Sequence, residues 1–126
     1  MQDILSVNPR ELLKNLKESN KKITMLSVPD FYSARLVDQL GVDCILIGDS
    51  LGKTVQGDRD VFSVSIGDIL YYTKIVRKAV AKGLIISDMP YSSYELGQEE
   101  AVQNARYLID NGGADAVKLE GGKDYF

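Results

Sequence analysis

The sequence predicts an α/β fold of parallel strands alternating with helices, and three observations carry that prediction. Short, mainly aliphatic runs recur at residues 23–28, 44–48, 84–87 and 116–119, and the one at 44–48, without polar interruption, reads as a strand of a parallel sheet covered on both faces. The segments between them repeat apolar residues at helical spacing. The connections are compact, so strand, helix, strand recurs in units whose crossovers are right-handed. Two architectures fit this order: an open doubly wound sheet, or the first half of an eight-stranded barrel.

The elements follow in order. Asn8-Pro9 opens a helix with a capping side chain and a proline at its first position, and Leu12, Leu13 and Leu16 form its apolar stripe as far as Ser19-Asn20. Residues 23–28 form the first strand, stopped by Pro29. Asp30 then caps a helix whose inner face is Ala34, Val37 and Leu40, and Gly41 closes it. Residues 44–48 are the second strand, and residues 49–64 are the longest irregular stretch, in the position where function tends to sit. Ser65 with Asp68 reads as a capping box. Ile66, Ile69, Leu70, Thr73, Val76 and Val80 recur at helical spacing up to Lys82-Gly83. Residues 84–87 are strand three. Residues 99–110 form the next helix, with Ala101, Ala105, Leu108 and Ile109 inward and Asn111-Gly112-Gly113 as its C-cap. Residues 116–119 are strand four.

At 126 residues, 44% hydrophobic and 26% charged, the chain has an ordinary globular composition and is predicted to be a single domain, residues 1–22 being an N-terminal helical segment within it. The net charge of −3 comes from interspersed acids and bases, and no basic block stands beside aromatic residues, so nucleic acid is not an expected partner. No basic segment precedes an apolar stretch at the N-terminus, and no run approaches the roughly 18 apolar residues of a membrane helix. No membrane partner and a cytoplasmic location are expected. Cys44 is the sole cysteine and lies within a strand, where it acts as a small hydrophobe. Histidine is absent, which removes the usual zinc sites and serine-type triads and leaves carboxylates and lysine to do chemistry.

Three strands end in an acid: Asp49 after Ile47-Gly48, Asp88 after Ser87, and Glu120 after Leu119. Ligands in α/β folds bind at these carboxyl ends. Three converging carboxylates repel one another unless a cation compensates, so a hard divalent metal with oxygen ligands is expected there. Neither a dinucleotide fingerprint nor P-loop spacing is present, and Asp49 would repel a phosphate.

Ile47-Gly48-Asp49-Ser50-Leu51-Gly52, Tyr72-Thr73-Lys74, Ser87-Asp88-Met89-Pro90-Tyr91-Ser92-Ser93-Tyr94 and the stretch from Asn111 to Gly122 resemble the ketopantoate hydroxymethyltransferase family, also called 3-methyl-2-oxobutanoate hydroxymethyltransferase. The likeness runs in one collinear register from about Ile23 to Gly122. It implies a (β/α)8 barrel related to the phosphoenolpyruvate mutase and isocitrate lyase group, of which this chain holds the N-terminal half.

By resemblance, Asp49, Asp88 and Glu120 form a Mg2+ site, while Asp49, Ser50, Asp88 and Lys118 bind the 2-oxo acid. The implied reaction enolises 2-oxoisovalerate with metal assistance and transfers a hydroxymethyl group from the co-substrate 5,10-methylenetetrahydrofolate, giving ketopantoate on the route to pantothenate. The family's general base is a glutamate that falls beyond Phe126. Two further departures are Tyr72, where the family has histidine, and a loop after Gly52 made more charged by Lys53 and Asp58-Arg59-Asp60. Four strands leave two unpaired edges, so a homo-oligomer is expected. The competing expectations are a non-catalytic half-barrel that binds metal and oxo acid or serves as an assembly partner, and a related barrel lyase or aldolase.

Overall fold

Residues 8–121 are described in the computed structural model. The expected N-terminal segment before Asn8, and Gly122 of the last motif, lie outside them. The elements are α1 (Pro9–Glu18), β1 (Met25–Ser27), α2 (Phe31–Gln39), β2 (Cys44–Ile47), α3 (Ile66–Ala79), β3 (Leu84–Asp88), α4 (Gln98–Gly112) and β4 (Ala116–Lys118). The caps read from sequence form. Asn8 accepts from the Arg10 N–H and Asp30 from the Ser33 N–H, and Ser65 and Asp68 make a reciprocal capping box. No helix among the described residues is long and apolar enough to cross a membrane.

The sheet runs β1-β2-β3-β4 with every pair parallel. Strands that neighbour one another in sequence order contain no reversal, so the sheet lacks the switch point of a doubly wound fold and winds one way, as the strands of a barrel do. Side-chain alternation along each strand divides the sheet into two faces. Ile45, Ile47 and Ile85 point outward into a core with Ala34, Val37, Ile69, Leu70, Val76 and Leu108 of α2, α3 and α4. Cys44, Leu84 and Ile86 point inward, where Leu12 and Leu13 of α1 pack over them. That helix covers the N-terminal end of the inner face and leaves the carboxyl ends open.

Two expected core positions are not core. Leu40 is 73% exposed, because the last inward position of α2 belongs to Asp38, whose carboxylate accepts the N–H groups of Ala81, Lys82 and Gly83 at 3.0, 3.0 and 2.8 Å. Ile109 is also exposed, since Leu108 fills the inward position and its neighbour is turned about 100° away. Helix α3 stops at Ala79 rather than running on to Lys82, because those same three N–H groups turn to Asp38 and the Val80 carbonyl is taken by Arg77. Within residues 49–64, residues Gly52–Gln56 form a π-helical turn closed by Gly57 at φ 79°. Position 57 thus favours glycine.

The Asp38 clamp yields a stability prediction. Asp38→Ala strands three amide donors and is expected to lower the unfolding free energy by about 2–3 kcal/mol, read by urea denaturation. Burial pushes the Asp38 carboxyl up, but the three N–H groups outweigh it and hold it below its ordinary 3.8. A depressed carboxylate stabilises above its unfolded value, and the contribution is lost as pH falls through the folded one. Asp38→Asn is therefore expected to flatten the acid limb of the stability profile below about pH 4. An unchanged limb would show that the clamp contributes nothing.

Candidate functional site

Strand ends place the polar residues. Asp88 ends β3 and Lys118 ends β4, and the two are register partners, so both side chains stand on the inner face one strand apart. Lys118 Nζ lies 2.7 Å from Asp88 Oδ1 and donates to Glu120 Oε1, also at 2.7 Å. The Asp49 backbone N–H donates to Asp88 Oδ2 at 3.0 Å. This contact ties the turn after β2 to the end of β3.

Gly48 makes that approach feasible. A Cβ at this position would stand 3.1 Å from Ser50 Oγ, 3.4 Å from Ser27 Oγ and 3.5 Å from Asp88 Oδ2. Three side-chain oxygens from three strand ends thus ring a spot that only the absence of a side chain keeps clear. Beside it, a cleft of about 380 Å³ runs between the ends of β1 and β2 and the following loop, its lining mixing the polar Ser27, Ser50 and Thr54 with the apolar Val28, Pro29, Ile47, Leu51 and Val55 around Gly48.

The electrostatics follow from burial. The Asp88 side chain is 6% exposed, Lys118 37% and Glu120 69%. Asp88 Oδ1 is cut off from solvent, and the Lys118 ammonium 2.7 Å away is its partner. Burial pushes the Asp49 carboxyl up, and the charges of Asp88 and Glu120 push it further while Lys118 opposes them. For Lys118, burial works against the charged form, but Asp88 and Glu120 prevail and raise it above 10.5. Glu120 is lowered by its hydrogen bond to Lys118.

The donor set accords with a hard cation, with one correction. Asp49 resists ionisation and the buried Asp88 carboxylate holds a positive charge, that of Lys118, at 2.7 Å, which is how carboxylates behave where a positive charge belongs. Magnesium needs only one or two carboxylates, with substrate and water completing its shell. The three acids expected to converge do not form one cluster: no group of three acidic, histidine or cysteine residues among the described residues is placed to hold a metal. Glu120 lies past the register of β4 and turns to Lys118 instead.

Ser50 and Asp49 stand where the sequence placed them, at the mouth. Ser27, the hydroxyl that ends β1, stands near the same spot beside Gly48. Tyr72 packs against the core, its ring edge-to-face with Tyr71 at 5.4 Å. The charged loop run braces itself, Asp58 accepting from Ser63 and Asp60 from the Phe62 N–H.

Comparison with known proteins gives the following. Residues 8–126 match the family described as Ketopantoate hydroxymethyltransferase. The chain is 46% identical over 120 residues to the 3-methyl-2-oxobutanoate hydroxymethyltransferase of Aquifex aeolicus (strain VF5), covering 95% of this chain and 45% of that protein. It is 49% identical over 109 residues to the enzyme of that name from Clostridium botulinum (strain Alaska E43 / Type E3), covering 86% and 40%. The chain therefore spans less than half the length of these curated relatives. Among solved structures it resembles oxaloacetate acetylhydrolase, with a TM-score of 0.70, 18% identity and coverage of 89% of this chain and 39% of that one. It also resembles 2,3-dimethylmalate lyase, a PEP mutase/isocitrate lyase superfamily member, with a TM-score of 0.71, 16% identity and coverage of 91% and 38%. At these identities the likeness establishes the fold, that of the first half of a parallel βα barrel.

The charge arrangement is open to direct titration. In Lys118→Met, Glu120 is expected to return towards its ordinary 4.5 and Asp49 to move further above 3.8, followed by carboxyl 13C NMR across a pH series. Unmoved resonances would show that Lys118 is not the counter-ion of this group.

Proposed function

Because the chain belongs to the ketopantoate hydroxymethyltransferase family, we propose that it forms the half of a barrel enzyme that holds a divalent cation and a branched 2-oxo acid, 2-oxoisovalerate, for hydroxymethylation by 5,10-methylenetetrahydrofolate. The observation that carries this reading is the Asp88–Lys118 pair at adjacent strand ends, with Asp88 Oδ1 buried against the ammonium at 2.7 Å. In this reading Asp49 and Asp88 hold Mg2+, Ser50 and Lys118 bind the acid, and Glu120 contributes at longer range or after release from Lys118.

Each residue's part follows from its surroundings. Asp88 Oδ1 attracts a positive charge, and the Lys118 ammonium fills that role here. A cation taking that charge would free Lys118 to meet the carboxylate of the oxo acid, so the lysine exchanges one anion for another without leaving the face. Magnesium supplies Lewis-acid polarisation of the 2-oxo group, which makes loss of the C3 proton less costly. Gly48 and the Asp49 N–H keep Asp88 Oδ2 in place throughout. The C3 proton goes to a base that resemblance assigns to a glutamate beyond Phe126. Further βα units would also cover the edges of β1 and β4. Association with other copies and a cytoplasmic setting accord with this role.

Calorimetric titration of Mg2+ or Mn2+ tests the reading. Asp49→Asn and Asp88→Asn are each expected to weaken binding by at least about 10-fold, a loss on the scale of a charge-assisted contact, and Glu120→Gln by less. Since Asp49 holds its proton above the ordinary 3.8, metal affinity should fall with pH before a normal carboxylate would titrate. Equal binding by the parent and both Asp variants would overturn the assignment.

A further inference from the structure

The inner face holds a polar group that the proposed roles leave unused. Register places Ser27 beside Leu46, Leu46 beside Ile86, and Ile86 beside Ala116. In that row across four strands, one hydroxyl stands among three apolar side chains. Ser27 is exposed at the end of β1, so its hydroxyl is open to a ligand. Ser27 Oγ makes no side-chain hydrogen bond among the described residues. It faces the same spot beside Gly48 as Ser50 Oγ and Asp88 Oδ2, at 3.4 Å against 3.1 and 3.5 Å. It also lines the 380 Å³ cleft together with Ser50.

The three oxygens are not equivalent. Asp88 Oδ2 is committed to the Asp49 N–H and can only accept, whereas each hydroxyl has a proton to donate. Two donors, one at the end of β1 and one in the turn after β2, lie near one spot beside a carboxylate whose charge Lys118 offsets; such a pair suits an oxygen-rich anion and gives a second point of attachment that fixes its rotation. The cleft lining also includes the apolar Val28, Ile47, Leu51 and Val55, so a molecule that carries both oxygens and a branched alkyl group suits its mixed surface.

We infer that Ser27 is a substrate-binding residue, its hydroxyl donating to an oxygen of the oxo acid opposite Ser50 and so turning the alkyl end towards the cleft. This rests on the function proposed above and adds a contact at the end of β1.

The experiment titrates 2-oxoisovalerate into the full chain, with Mg2+ present, for the parent, Ser27→Ala and Ser27→Thr, alongside thermal melts and Mg2+ titrations without the acid. Ser27→Ala is expected to weaken binding of the acid by about 10-fold, the scale of a hydrogen bond to a charged group. Ser27→Thr, which keeps the hydroxyl, should stay within about 3-fold, and all three should share one melting temperature and one Mg2+ affinity. Equal acid binding by the parent and Ser27→Ala overturns the inference and leaves the proposed function standing. A lowered melting temperature with unchanged binding does the same, since it marks a structural serine. Failure of the parent to bind the acid at all overturns both.

Discussion

A carboxylate and an ammonium 2.7 Å apart at the ends of neighbouring strands, Asp88 and Lys118, set the terms for everything around them. A carboxylate as buried as Asp88 is costly without a partner. Lys118 can be that partner because parallel register puts it level with Asp88 on the same face, and because its long stem lets a half-exposed residue reach a buried oxygen. The second oxygen of Asp88 is met by the Asp49 N–H. This requires the chain after β2 to turn sharply across the end of β3, and a side chain at position 48 would crowd three oxygens there. Pair, turn and glycine form one arrangement, and altering any of them disturbs the other two.

The sheet supports that arrangement by being different on its two faces. Outward, Ile45, Ile47 and Ile85 are sealed by α2, α3 and α4, so the strands cannot slide and their register is held. Inward, the rows nearest the N-terminal end are closed by Leu12 and Leu13 of α1, and the row nearest the carboxyl end carries the charges. Apolar below and polar above is the division expected of a barrel whose chemistry lies at the carboxyl ends of its strands. It also explains why the Asp38 clamp, at the opposite end, touches none of the charged residues: it fixes the α3–β3 connection and hence the start of the strand that ends in Asp88.

The strands, the caps and the order of elements were legible because each rests on local chemistry: short, mainly aliphatic runs, Asn8, Asp30 and Ser65 as caps, Gly41 and Gly113 in left-handed turns. Periodicity alone misjudged Leu40 and Ile109, since it gives the direction of a helix face without saying how wide the neighbour beneath it is. In α2 the inward place near the end went to a polar residue with three donors to satisfy. Strand-end logic located Asp49, Asp88 and Glu120 correctly along the chain, but location does not fix where a side chain turns. Glu120 follows Lys118 by two residues, close enough for the lysine to draw it aside. Ser27 was not legible as a neighbour of this group, because a serine is an ordinary strand ending and Ser50 and Asp88, which stand near the same spot, come from segments far away in sequence.

The charged residues that set the loop after β2 apart serve mainly to hold that loop in shape. Asp58 accepts from Ser63 and Asp60 from the Phe62 N–H. Gln56 donates to Asp68, the same side chain that closes the capping box of α3. Phe62 then meets Tyr91, from the loop after β3, edge to ring at 5.7 Å. One wall of the cleft is therefore tied to the start of α3 and, across the mouth, to the loop that follows Asp88. A wall braced at both ends loses little freedom when a ligand enters, and preorganisation of this kind lowers the entropic cost of binding. The rigid sheet fixes the charges together with Val28 and Ile47 at its strand ends, and the braced loop fixes Leu51 and Val55 of the cleft lining. A small branched acid would meet both in one orientation.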